Sequence, residues 1–545
     1  MKLITHRSLT ATFFLLSLPA ALAADGPGAA VVPLFDDLGS WHHAVTTKSP
    51  VAQEYFDQGL RLVYGFNHDE AKRAFDEAAR LDPDCAMAYW GSALTLGPNY
   101  NMQMDPEHVK SAYASMKKAL ALATKVTPAE RAYIEALSKR YAEIPNTDRK
   151  ALDVAYADAM RSVATRFPED SDALTLFAEA MMDLRPWDLW TKDGTMQPGT
   201  KEIIETLRAA LTKAPGNPGA NHYYIHAVEM SAHPEEGLEA ALRLPGLVPG
   251  AGHLVHMPGH IYMRMGRYGD AALANVPAVA ADRKYIATAR PSGMYPMMYY
   301  PHNIHFIWSA SLMAGRSADA LKAAKELDQA VPLDAIKAMP MLEYFTGTNL
   351  FALVRFGRWD EVLAAAPPSP ELKYATAIWH YARSIAVASK NDRAAAAKEQ
   401  AAFESAAAAI PPELQLVNNT AGNLLEVVRP LLAGEIAFRA GDHETAIVRL
   451  TEAVAAQDAL TYDEPPPWYY PVRESLGAAL IAADKWTEAE AVYRKDLALN
   501  PESGWSLHGL ALCLAHRKAP EFAAVNAQFE KAWATADVRL TGATF

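Results

Sequence analysis

Eight of the chain's 17 histidines fall between residues 219 and 309, and seven of them recur at helical spacing. His222 and His226 are four apart. HLVHMPGH supplies His253, His256 and His260, and HNIHF supplies His302 and His305. Separations of three, four and seven put each set on one face of its helix. The eighth, His233, falls in a turn. A lone histidine is ordinarily a satisfied polar core residue, but seven facing one another are different. Protonated together they repel, and buried without partners they are costly. A transition metal removes both penalties, because neutral imidazole is its commonest protein ligand. The other reading is a histidine-rich groove that contacts an anionic or aromatic ligand directly, or switches with pH.

Seven histidines exceed one tetrahedral site, which points to a two-metal cluster. Glu229, Glu179 and Asp183 are the carboxylates placed to join it, either as ligands or as partners that orient a ring. All-nitrogen ligation suits Cu or Zn, and carboxylate participation tilts toward Zn, Mn or Fe. Arg264, one turn after His260, is a candidate for a substrate carboxylate or phosphate, with an ordinary surface arginine as the plain alternative. His380 takes a similar position in AIWHYAR. His68 reads as a turn or cap residue, and His42 and His43 carry no signal. Met294, Met297 and Met298, with Tyr295, Tyr299 and Tyr300, are soft ligands, a lid, or packing. The chain has no GxSxG, GxxxxGK[ST], HExxH or CxxC, so no nucleotide cofactor is expected.

The elements that must hold these residues repeat. In the unit 52–85, Gly59, Ala71, Phe75, Ala78 and Pro83 form a grid of small and large residues. It returns as Gly434, Gly441, Ala446 and Ala453, and as Leu476, Gly477, Trp486, Ala489, Tyr493 and Pro501. Gly259, Tyr262, Gly266, Tyr268 and Ala271 repeat it again, and Gly315, Ala320, Gly357 and Trp359 do so more weakly. Small residues where two helices cross let the backbones approach, and a large residue from the partner fills the gap. A proline after the second helix sets the turn into the next hairpin. One hairpin cannot bury its own apolar face, whereas stacked neighbours bury a continuous one. Three Trp-, Tyr- or Pro-rich insertions, 184–200, 287–301 and 463–471, interrupt the period; such loops are either functional or caps on repeat edges.

Bulk properties narrow the class. Half the residues are hydrophobic, which excludes a disordered chain. A formal charge of −12 argues against a nucleic-acid partner. Cys85 and Cys513 lie at opposite ends of the sequence, so disulfides are not expected to staple the fold. Lys2, His6 and Arg7, an apolar stretch from Leu9 to Leu18 and Ala21-Leu22-Ala23 read as a signal peptide over 1–23. That predicts a periplasmic or secreted protein without a membrane span.

The grid is that of the 34-residue tetratricopeptide repeat. FDQGLRLVYGFNHDEA, DPDCAMAYWGSALTLGPN, MMDLRPWDLW, NHYYIHAVE, HLVHMPGHIYMRMGRY and EPPPWYYPVRESLGAAL resemble segments of a family of long exported bacterial tetratricopeptide proteins. In those relatives the HMPxHIY segment often has serine where this chain has Gly259. The resemblance implies an all-α, right-handed superhelical solenoid of about 10–12 hairpins. Its expected organisation is an N-terminal extension over 24–50, then hairpins over 51–217, a histidine-rich centre over 218–330 and further hairpins over 331–545. The resemblance also implies that the second, fifth and ninth positions of each first helix line a concave groove. Histidine holds seven of those nine positions in three consecutive units, with Gly219 and Ser309 as the exceptions. The leading expectation is therefore a groove holding a histidine-ligated metal, with metal-assisted hydrolysis and copper-type oxidation both open. The rival is a scaffold that binds a peptide or protein partner in the cell envelope. In either case a small molecule or peptide is expected in the groove.

Overall fold

The structure, a computed structural model, describes residues 32–144 and 147–543. The expected signal peptide lies outside the described residues. Among those described, helices dominate, and the one strand pairing is a two-residue ladder in which Gln415–Leu416 faces Asn419–Thr420. The chain divides into two compact units. The first comprises residues 41–191 and 195–220 with the described residues before 36. The second comprises the described residues from 221 onward with residues 36–40 and 192–194.

Within each unit consecutive helices pair as antiparallel hairpins. In the first, Pro50–Tyr64 packs on His68–Leu81, which packs on Ala86–Leu94. In the second, Ala421–Arg439 pairs with His443–Ala459 and Val472–Ala482 with Trp486–Leu499. First helices also touch the first helices of the next hairpin. Thr348–Arg355, Lys373–Ser389, Ala421–Arg439, Val472–Ala482 and Gly504–His516 follow one another in this way. The second unit is thus a layered helical array with one extended apolar core.

Local chemistry sets the helix ends. Ser49 Oγ accepts from the Ala52 amide, Asn67 Oδ1 from Glu70, and Thr127 and Glu130 form a reciprocal capping box. The turns inside hairpins share a left-handed residue. Gly266, Gly315, Gly357 and Gly441 have φ between 65° and 80°. Asn391 (62°), Asp484 (60°) and Lys518 (54°) take the same place in other repeats. A Cβ at Gly266 would also strike the Pro501 carbonyl oxygen at 2.0 Å, so here glycine is required twice over.

The small-residue grid has a direct structural meaning. Gly59 and Gly91 flank the Phe75 ring, and a Cβ on either would come within 2.7 and 2.4 Å of it. Gly477 and Gly509 flank Tyr493 in the same way, at 2.4 and 2.2 Å. Gly434 meets Leu450, and Gly259 meets Asn275. Each contact spans sixteen residues, from the second helix either back to its own first helix or on to the first helix of the next hairpin. Gly509→Ala should therefore overpack this joint and lose about 1–3 kcal/mol in urea unfolding. Gly246→Ala, with nothing within 4 Å, should cost nothing.

Candidate metal centre

Three segments bring the histidines together. His222 and His226 project from the helix Pro218–Glu229. His253 and His256 come from the short helix Gly252–His256, and His260 from Pro258–Arg264. Pro258 has no amide hydrogen to donate, so the chain restarts as a new helix between His256 and His260. His302 stands near the start of Tyr300–Met313, directly after a π-helical turn, Tyr295–Tyr299. Such turns re-aim the side chains that follow them.

Six histidines form two triads. One is His222, His226 and His253, and the other is His256, His260 and His302; within each, one ring nitrogen from every residue lies within 4.8 Å of the others. Nε2 of His253 is 3.1 Å from Nε2 of His222, and Nε2 of His260 is 3.3 Å from Nε2 of His256. Rings also adjoin between the triads, with centroids 5.0 Å apart for His253 and His256 and 5.3 Å for His226 and His260. All six are buried except His302, which is partly exposed.

Glu229 joins the triads. Its Oε1 is 2.7 Å from Nδ1 of His226, and its Oε2 is 2.5 Å from Nδ1 of His260. The first is a hydrogen bond and the second a close charge contact without hydrogen-bond geometry, and neither separation leaves room for an ion between the two atoms. The Nδ1–H of His226 therefore donates to the carboxylate, which makes its Nε2 the acceptor nitrogen, and Nε2 of His260 faces Nε2 of His256. Burial alone would raise the Glu229 carboxyl, but His260 and His226 bring it down to about 2. Burial, reinforced by the neighbouring imidazoles, pushes His253, His256 and His302 well below the usual histidine range. Burial also lowers His226, against the pull of Glu229. For His260 the carboxylate prevails over burial and the shift is upward.

A further layer fixes the backbone. Asp282 accepts from Tyr295 Oη (2.8 Å) and Asn303 Nδ2 (2.7 Å), while the amide of His253 donates to Tyr295 Oη (3.1 Å). One buried acid thus ties the π-helical turn to the segments carrying His253 and His302. Gly252 must lack a side chain, since a Cβ would sit 2.0 Å from Asp282 Oδ1. Phe306 packs on His256, His260 and His302, and Tyr299 on His253. Met297 and Met298 pack against the apolar core of this unit.

The remaining sequence candidates go elsewhere. His305 stacks on Trp308 (5.0 Å, 15°) and meets the Tyr344 and Phe345 rings edge-on. It belongs to neither triad, and burial alone lowers it to about 3. Glu179 and Asp183 lie in the first unit beside buried Arg140, which pairs with Asp183 and lies 3.4 Å from Asp153. His380 Nδ1 is 2.7 Å from Glu399 Oε2. Arg264 donates to the carbonyls of Glu229 (2.9 Å) and Ser231 (3.4 Å), so its guanidinium clamps the end of the His226 helix. His68 lies beside the Asn99 amide, and burial lowers it to about 4.

Two features carried no signal in the sequence. In the first unit, His43 meets Asp172 (2.8 Å), which also accepts from Tyr64, Trp41 and Asn217. Asp170 stands nearby and accepts from Tyr133 Oη. Burial opposes protonation of His43, and the Asp172 carboxylate outweighs it. With its oxygens this fully engaged, the network ties residues 41–43 to the unit. The second is Glu464, in the insertion 463–471, which faces the His260 side of the cluster. The bias toward Pro and aromatics marked that insertion, but nothing in its spacing singled out the glutamate.

No family model matches the chain, and no curated protein does. Among solved structures it is similar to the Cut9–Hcn1 hetero-tetramer of the APC/C (13% identity, TM-score 0.30, 89% of this chain and 74% of the other). It is also similar to a human IFIT1 dimer with m7Gppp-AAAA (13%, 0.33, 91% and 92%) and to yeast Tom70 (12%, 0.28, 89% and 92%). Among the described residues no helix is long and apolar enough to cross a membrane.

Proposed function

We propose that this chain is an exported metalloprotein whose six histidines hold two transition-metal ions, one in each triad. The observation that carries this reading is the convergence of Nε2 atoms while Glu229 holds the opposite edges of two rings. Two nitrogens bound to one tetrahedral ion at about 2.0–2.1 Å stand about 3.3–3.4 Å apart. The His256–His260 separation of 3.3 Å meets that value, and the 3.1 Å of His222–His253 is slightly closer. An ion in each triad also replaces the protons that mutual repulsion and burial exclude. Three imidazoles per ion, with the carboxylate one shell out, favour Cu or Zn. Each ion keeps a position for water or substrate, the arrangement of a metalloenzyme rather than of a closed structural site.

The test is a double substitution, His256→Ala with His260→Ala. The mature protein, loaded with Cu or Zn and dialysed, should lose at least one bound ion per chain by elemental analysis. Its helical circular dichroism should be nearly unchanged, because stacked hairpins supply the helix stability. Retention of metal at the wild-type level would overturn the proposal.

A further inference from the structure

A cleft of about 270 Å³ opens beside the histidine cluster, lined among others by Arg264, Tyr268, Tyr462, Asp463, Glu464 and Trp468. That is near the lower end for small-ligand sites and suits one compact molecule. Its charges are unevenly committed. Arg473 is held by both oxygens of Asp458 (2.7 and 2.5 Å), and Arg264 donates to two backbone carbonyls. Neither cation is left facing the space without a partner.

The carboxylates are differently placed. Asp496 accepts from Ser506 Oγ (2.6 Å) and Asn500 Nδ2 (3.1 Å), and Asp463 accepts from Asn418. Glu464 accepts at Oε1 from Tyr462 Oη (2.6 Å), but its Oε2 is buried and receives no hydrogen bond. The residue is only 6% exposed. A buried acceptor without a donor is costly unless a ligand supplies one. The same cleft is lined by the aromatic side chains of Tyr268, Tyr462 and Trp468, whose ring faces attract cations.

We propose that this cleft binds a small organic cation, a protonated primary amine, with its ammonium group on Glu464 Oε2 and its apolar part against the aromatic wall. An ammonium brings three donors and a charge, which together meet an acceptor that a neutral hydroxyl meets only in part. Burial raises the Glu464 carboxyl to about 7, so a bound cation would also restore its charge. The inference stands on the cleft and does not require metal in the triads. Beside a loaded centre, the same site would present an amine to the ions.

The probe is 2-phenylethylamine, compared with 2-phenylethanol by calorimetric titration at neutral pH, on chelator-treated and on metal-loaded protein. The amine should bind both forms about tenfold or more tightly than the alcohol, the difference expected of a charge-assisted hydrogen bond. Glu464→Gln should erase that preference, and Glu464→Asp, which keeps the charge, should retain part of it. Equal affinity for the two probes, or no binding of the amine to wild-type protein, would overturn the proposal. So would amine binding unchanged in Glu464→Gln. Binding confined to the metal-loaded form would also overturn it, because the amine would then be coordinating an ion. Failure of the triads to hold metal would leave the amine titration of the chelator-treated protein unaffected.

Discussion

Replacing Glu229 with glutamine should weaken retention of Cu or Zn by about 10–100-fold, with the helical array still folded. The carboxylate accepts from Nδ1 of His226 and lies 2.5 Å from Nδ1 of His260, one ring in each triad. An amide has one acceptor oxygen and presents N–H donors on its other side, so it can keep one of these contacts but not both. The ring that loses its partner is free to rotate and to place its proton on Nε2, where the ion should be. The substitution also removes the negative charge that would offset two dications nearby, a charge favoured by His260 and His226, which lower the Glu229 carboxyl to about 2. Competition titration against a chelator measures the change. Weakening in both triads would identify Glu229 as the positioning residue shared between them, and unchanged affinity would remove it from that role.

The second large effect is expected in the first unit. Arg140 is fully buried, pairs with Asp183, faces Asp153 at 3.4 Å, and stacks on Tyr156 at 4.6 Å. Arg140→Ala would leave Glu179 and Asp183 as two adjacent buried acids without their cation. Breaking a buried pair from one side typically costs about 3–5 kcal/mol, a large share of the roughly 5–15 kcal/mol that holds a domain together. Urea unfolding of the variant should show a loss of that size. Combining Arg140→Met with Glu179→Gln and Asp183→Asn should recover much of it, since removing every charge also removes the uncompensated ones. A single-variant loss below about 1 kcal/mol would contradict the assignment.

These two carboxylate sites show what the sequence could and could not reveal. Glu229 is three residues after His226 on one helix, so local periodicity placed it beside the cluster. Glu179 and Asp183 sit at similarly suggestive helical positions, yet their partner Arg140 is 39 and 43 residues away. No pattern within one helix announces a long-range ion pair. Helical hairpins were legible because packing repeats locally. Gly59, Gly477 and Gly509 each need a missing side chain opposite an aromatic ring, and that need recurs at fixed spacing. The histidine faces were legible for the same reason. His302 and His305, three residues apart on Tyr300–Met313, diverge by about 60° around the helix axis, which gives His302 to the cluster and His305 to Trp308, Tyr344 and Phe345. Glu464 depended on an insertion folding back from about 200 residues downstream, which no local rule supplies.

Two ions are expected among the six histidines. The most direct measurement is a crystal structure of the metal-loaded mature protein, with anomalous diffraction at the Cu and Zn edges and elemental analysis of the same preparation. The expected result is two anomalous peaks and close to two ions per chain. One peak should lie within about 2.0–2.1 Å of ring nitrogens of His222, His226 and His253, and the other equally close to those of His256, His260 and His302. No peak at either triad, with less than roughly a tenth of an ion retained per chain after loading with Cu or Zn, would contradict it.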